Sequence, residues 1–180
     1  VLFRSGALPV HALLALGAVH QRLLRERLRC STNLVLETAV ARDPHQFAVL
    51  IGYGASLVYP WLALELVQAL ADADGLDAAG AARLALNYRR AIDKGLYKIM
   101  SKMGICTVDS YRAAQLFEII GLADEVVDRC FTGTPSRLQG LGFEQLDRDQ
   151  RALAALAADA TAPLPMGSQL KSHPDGEHHA

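Results

Sequence analysis

The sequence predicts an α/β fold, a helix-rich fragment carrying a few strands of an incomplete sheet. Three observations point there. Apolar residues recur at helical spacing over long stretches, as in Leu13, Leu14, Leu16, Val19, Leu23, Leu24 and Leu28. Two short runs, "TNLVLETAV" and "ICTV", are β-branched and apolar without strict alternation, the pattern of strands covered on both faces. Helix and strand signals also alternate along the chain, the order of a layered α/β protein. With two such strands, the sheet needs further chain to complete it.

The elements follow in order. Residues Leu8–Leu28 read as a helix whose last turn carries Arg27 and Arg29, cations that suit the negative end of the helix dipole. Thr32–Val40 is the first strand. Asp43 is placed as an N-cap with Pro44 at the first helical position, and this helix is expected to reach about Leu70, with Pro60 as a point of breakage. "ADADGLDAAGAA" (71–82) is a surface turn that tolerates changes in length. A helix then runs from about Leu76 to Met103, with Asn87 or Gly95 as candidate breaks and Ile92, Leu96, Ile99 and Met103 as its buried stripe. Gly104 suits the left-handed residue that ends it. Ile105–Val108 is the second strand, and Asp109 or Ser110 caps a helix through Ile120 that Gly121 closes. Asp124–Phe131 is a short helix, residues 132–143 a loop, Phe143–Ala158 a helix, and the Pro- and Gly-containing tail from Thr161 a linker. No internal repeat is present.

Composition narrows the function. The chain has 180 residues, 51% hydrophobic and 21% charged, which is globular rather than disordered. A net charge of −1 gives no field that would gather nucleic acid or an anionic membrane, and the basic run Arg22–Cys30 reads as a solvated helix face. Phe47–Leu64 is uncharged over 18 residues, at the lower edge of membrane-spanning length, yet Gly52, Gly54, Ser56 and Pro60 interrupt it, so it reads as buried protein. Neither nucleic acid nor membrane is expected as a partner, no signal peptide pattern appears, and the scattered thiols suit a reducing, cytoplasmic setting. The initial Val and the terminal "GEHHA" suggest a piece cut from a longer chain, with residues 1–5 suspect as native sequence.

Each possible site has a plainer structural reading. Cys30, Cys106 and Cys130 are too far apart for a compact metal or cluster motif, and the six histidines show no helical ligand pair. "GYGASL" (Gly52–Leu57) begins like a dinucleotide fingerprint but lacks the third glycine and a preceding strand, so its glycines are expected to permit close packing. Ser56, Ser101 and Ser110 lack a nucleophile elbow, and Glu37, Glu65, Glu118 and Glu144 are scattered singly. Lys94, Lys98 and Lys102 form one helical stripe, which reads as a solvated face because a reactive lysine needs an apolar pocket and a partner. No catalytic, cofactor-binding or metal residue is assigned.

The wording of the chain carries more. "NYRRAIDKGLYKIMSKMGICTVDSYRAAQLFEIIGLADEVVDRCFTGTPSRLQGLGFEQL" resembles the large subunit of glutamate synthase, where its central domain passes into its flavin-binding synthase domain. "GAVHQRLLRERLRCSTNLVLETAVARDPHQFAVLIGYGASLVYPWLALE" resembles the end of that central domain, and "DGEHHA" the family's "GEYHA" stretch. The likeness covers about residues 8–150 and the last few. Cys106 stands where the family more usually has serine and Ala113 where glycine is common. The organisation this implies is the C-terminal part of the central domain over 1–75, a connecting helical region over 76–160, and the poorly ordered start of the FMN-binding domain over 161–180.

The resemblance implies an oxidoreductase that forms L-glutamate from glutamine-derived ammonia and 2-oxoglutarate. Reduced FMN supplies the hydride and an iron–sulfur cluster the electrons, drawn from an NADPH-oxidising small subunit or from ferredoxin. The groups that do this chemistry would lie upstream and downstream of these residues, so the fragment alone is expected to be inactive and to bind no cofactor. Its partners would be the remaining domains of the same polypeptide, which it would connect. The alternative is a stand-alone helical interaction module without catalytic activity.

Overall fold

The computed structural model describes Leu8 and residues 10–158. Among them are seven α-helices and four short strands in two separate parallel pairs, an α/β, helix-rich architecture with little sheet. The expectations for residues 1–5 and for the tail 161–180 lie outside the described residues.

Helix α1 (Ala12–Arg25) begins where the His11 Nδ1 accepts the Leu13 amide at 3.3 Å. It is shorter at both ends than Leu8–Leu28. Arg27 turns left-handed at φ 58, and the Leu28 amide reaches back to the Leu23 carbonyl. One 3-10 turn at Arg29–Ser31 leads into β1 (Val35–Glu37). Helix α2 (Pro44–Gly52) starts as predicted: the Asp43 carboxylate accepts the His45 and Gln46 amides at 2.9 and 3.1 Å, and the Gln46 side chain returns to the Asp43 amide. That reciprocal pair satisfies donors with no partner inside the helix.

The helix expected to continue to Leu70 is instead three elements. Gly52-Tyr53-Gly54 ends α2, β2 (Leu57–Tyr59) pairs in parallel with β1, and α3 (Trp61–Ala73) starts after Pro60. The pairing of Val35 with Leu57 and Glu37 with Tyr59 is a tertiary contact, which an uncharged run does not encode. Among the described residues no helix is long and apolar enough to cross a membrane.

Helix α4 (Ala78–Lys102) starts at Asp77, whose carboxylate accepts the Gly80 amide at 2.8 Å. It continues unbroken through Asn87 and Gly95, and Gly95 is where the Pro44 ring lies against it. Its buried side chains are Ala81, Ile92 and Met100, with Leu96 and Ile99 half-buried, while Met103 at the C-cap is exposed. The helix closes as expected at Gly104 (φ 70): the Gly104 amide donates to the Ser101 carbonyl and the Ile105 amide to the Met100 carbonyl, a left-handed helix end.

The strand expected at Ile105–Val108 is absent. The chain there is a connection into the single-turn helix α5 (Val108–Tyr111), capped by Thr107 rather than Asp109 or Ser110. Nor does a helix run to Ile120. Ala113 and Gln115 are left-handed at φ 60 and 54, and the Ala113 amide donates to the Gly52 carbonyl at 2.8 Å instead of into a helix. Gly121, expected to close that helix, lies in β3 (Ile119–Leu122), at a register irregularity. Helix α6 (Asp124–Cys130) follows, then β4 (Ser136–Leu141) where a loop is expected, and finally α7 (Phe143–Ala158). β3 and β4 are parallel, joined by α6 as β1 and β2 are joined by α2.

The core has three parts. Leu16, Leu36, Phe47, Leu50 and Ile92 join α1, β1, α2 and α4. Ile119, Val126, Val127, Cys130 and Phe131 form a second cluster against Leu13 and Leu14 of α1. Ala48, Met100 and Tyr111 form the third. Tyr53 packs against both of the first two. Each sheet leaves one face bare: the partners Val35 and Leu57 are 67% and 53% exposed, and the partners Ile120 and Leu138 are 74% and 60% exposed.

Candidate functional site

The side chains that converge most tightly do so around Gly52-Tyr53-Gly54. Gly54 has φ 106, a conformation that L-residues rarely adopt, and a Cβ there would overlap the His20 ring, meeting its Cε1 at 2.8 Å. His20 is 8% exposed on α1. Its Nδ1 accepts from Arg29 Nε at 3.0 Å, while Arg29 Nη1 donates to the Thr32 carbonyl at 2.6 Å and Nη2 to the Gly54 carbonyl at 2.7 Å. One guanidinium therefore ties α1, the approach to β1 and the turn after α2. The bond at Nδ1 fixes His20 as the neutral tautomer protonated on Nε2. Burial, with the Arg29 charge second, holds its pKa below the ordinary 6.5.

Tyr53 completes the junction. Its ring stacks on Phe117 at 5.3 Å and meets Phe131 edge-on at 5.0 Å, both favoured aromatic geometries. Its hydroxyl bonds with Thr134 Oγ1 at 3.2 Å, and burial raises its pKa against the opposing effect of that bond. A Cβ on Gly52 would enter the Phe117 ring. Both glycines of the "GYG" run thus have protein rings lying where a side chain or a cofactor would go. The packing role expected of them is present, with rings rather than a helix against the turn. The role of Arg29 has no signal in the sequence, because it lies within a basic run that reads as a solvated face.

The other singled-out residues do not join this cluster. Lys94, Lys98 and Lys102 are exposed along α4, as a solvated stripe should be. The Ser56 hydroxyl accepts the Leu34 amide at 3.2 Å, Ser110 accepts from Thr107 at 2.8 Å, and Ser101 is exposed. Glu118 pairs with Arg137 and Glu144 with Arg148, while Glu65 is exposed and Glu37 half-buried. Cys30 and Cys106 are exposed and Cys130 is buried, all three free. Among the described residues no group of three or more His, Cys, Asp or Glu could hold a metal ion. A concavity of about 600 Å³ is a mostly apolar groove between the start of α1 and α7, walled by Leu13, Leu14, Phe131, Phe143 and Leu146.

A family model described as the glutamate synthase central domain matches residues 3–123. The chain belongs to the glutamate synthase central-domain family. It is 40% identical over 174 residues to the glutamate synthase [NADPH] large chain of Bacillus subtilis, covering 96% of this chain and 11% of that protein. With the glutamate synthase [NADH] of Saccharomyces cerevisiae it shares 43% over 152 residues, 80% of this chain and 7% of the other. With the ferredoxin-dependent glutamate synthase 1 of Arabidopsis thaliana it shares 40% over 179 residues, 93% and 11%. The chain therefore spans about a tenth of the length of the relatives it matches.

Proposed function

We propose that this chain is a segment of a glutamate synthase and acts as the structural connector between its amidotransferase and FMN-bearing synthase sites. The observation that carries this reading is the central-domain match together with relatives that are all named as glutamate synthases. The geometry supports it: the residues that converge do so as a packed junction, with the ring nitrogen, guanidinium and carbonyls bonded to one another. The full enzyme would join glutamine-derived ammonia to 2-oxoglutarate and reduce the imine. Holding the two sites at fixed separation matters because ammonia that escapes into water becomes ammonium, which is no longer a nucleophile.

FMN and an iron–sulfur cluster would belong to other parts of that enzyme. The described residues do not fit either group, since Gly52 and Gly54 are packed by Phe117 and His20, and the thiols are dispersed between surface and core. The electron donor would be an NADPH-oxidising small subunit or ferredoxin; relatives named for NADPH, NADH and ferredoxin are 40%, 43% and 40% identical, so this segment does not distinguish them.

The test is Arg29→Met in the full-length enzyme, with three rates measured side by side. Glutamine hydrolysis and ammonia-dependent glutamate formation should persist, while glutamine-dependent formation falls and free ammonia appears in the medium. Glutamine-dependent synthesis that stays tightly coupled despite a loosened junction would overturn the connector role. The 180-residue chain alone should show no glutamate synthase activity and no flavin absorbance after purification; retained flavin would contradict this.

A further inference from the structure

The family match ends at Ala123, yet the packing does not. We propose that residues 124–146 are a rigid joint that locks whatever follows the central domain onto helix α1 and the Tyr53 turn. Four ties carry this. β4, beyond the match, pairs with β3 inside it. Helix α6 lies against α1 so closely that a Cβ on Gly17 would run into the Cys130 carbonyl, and Val126, Cys130 and Phe131 are 0%, 2% and 3% exposed there. Arg25 Nη2 donates to the Arg129 carbonyl at 3.3 Å. Tyr53 holds the next turn through Phe131 and Thr134.

The start of α7 is fixed to the same helix. Glu125 Oε1 of α6 accepts the Phe143 amide at 3.1 Å, and the Arg129 guanidinium lies 5.4 Å from the Phe143 ring centroid. Within the start of α7 itself, Gln145 Oε1 accepts the Gly142 amide at 3.2 Å. A carboxylate on the first amides of a helix sets its direction as well as satisfying its donors. The chain thus leaves the central domain along a line set by α1 through α6, with no loose linker at the family boundary. The inference deepens the connector reading and rests on it for its role in the full enzyme. It would fail as uncoupled opening of this chain, whereas the connector reading would fail as unaltered ammonia transfer.

Hydrogen–deuterium exchange on the whole 180-residue chain tests it, since elements of one cooperative unit open together. Peptides from α1 and from residues 124–141 should show the same opening constant. Gly17→Ala should speed exchange in both by the same factor. If that variant does not fold, Tyr53→Phe, which removes only the bond to Thr134, should speed both about fivefold. Residues 124–141 exchanging at least tenfold faster than α1 in the unaltered chain would overturn the proposal. So would a variant that loosens α1 alone, or a chain without protection in either region.

Discussion

Gly54→Ala is the substitution that most directly tests the junction. Gly54 sits at φ 106, and placing an L-residue in such a region costs about 1–3 kcal/mol in backbone strain. The new methyl would overlap the His20 ring, which must then move in a site with little slack, at about 1 kcal/mol or more. Moving His20 also disturbs the 3.0 Å bond from Arg29, worth about 1 kcal/mol. A loss near 3 kcal/mol is expected, read as a lower urea midpoint at unchanged slope. The companion is Gly54→Ala in a His20→Ala background. There the clash is gone and the alanine at 54 should cost only its backbone strain, so the two changes should couple by 1 kcal/mol or more. A loss below about 1 kcal/mol in the single variant, or strict additivity in the pair, would refute the account of Gly54 as the backbone position that makes room for His20.

Because the folded His20 has a pKa below 6.5, the unfolded chain binds the proton first; its contribution is full above about pH 6.5 and declines as pH falls toward the lowered folded value, so denaturation midpoints should drop with acid and His20→Gln should flatten that drop. Ala113 is left-handed at φ 60, and Ala113→Gly should stabilise by about 1 kcal/mol; a lower melting temperature would count against the strain. Among the described residues the buried Tyr111 hydroxyl has no hydrogen-bond partner, so Tyr111→Phe should be neutral or stabilising by up to about 1 kcal/mol, and a clear loss in thermal melts would reveal a partner. Under native conditions a thiol reagent should label Cys30 and Cys106 but not Cys130, which is buried with its pKa raised by that burial; three equivalents at equal rates would contradict the packing of α6 on α1.

What could be read from the residues was local. Asp43 with Pro44, and Gly104 after the α4 stripe, are signals contained within a few positions, and both elements end where those signals lie. β2 and β4 are not legible, because Leu57–Tyr59 sits in an uncharged run without a strand's alternation and Ser136–Leu141 is polar and glycine-containing; each becomes a strand only through its partner. The helix expected to reach Ile120 failed because left-handed Ala113 and Gln115 carry no glycine to announce them. At the junction, "GYG" signalled close packing, but nothing local connects His20, Arg29 and Gly54. Arg29 looks like its neighbours Arg25 and Arg27, and only the fold turns its fork inward while they remain exposed.

The clasp between Arg25 and Arg129 spans 104 residues of chain, and this has a consequence on the ribosome. Helix α1 is made ahead of α6, and the second core cluster, against which Leu13 and Leu14 pack, does not exist until α6 has been translated. At about 5–20 residues per second, α1 waits roughly 5–20 s with that apolar side uncovered. During this interval that side is open to chaperones, and any pause in synthesis between α4 and α6 would lengthen the exposure.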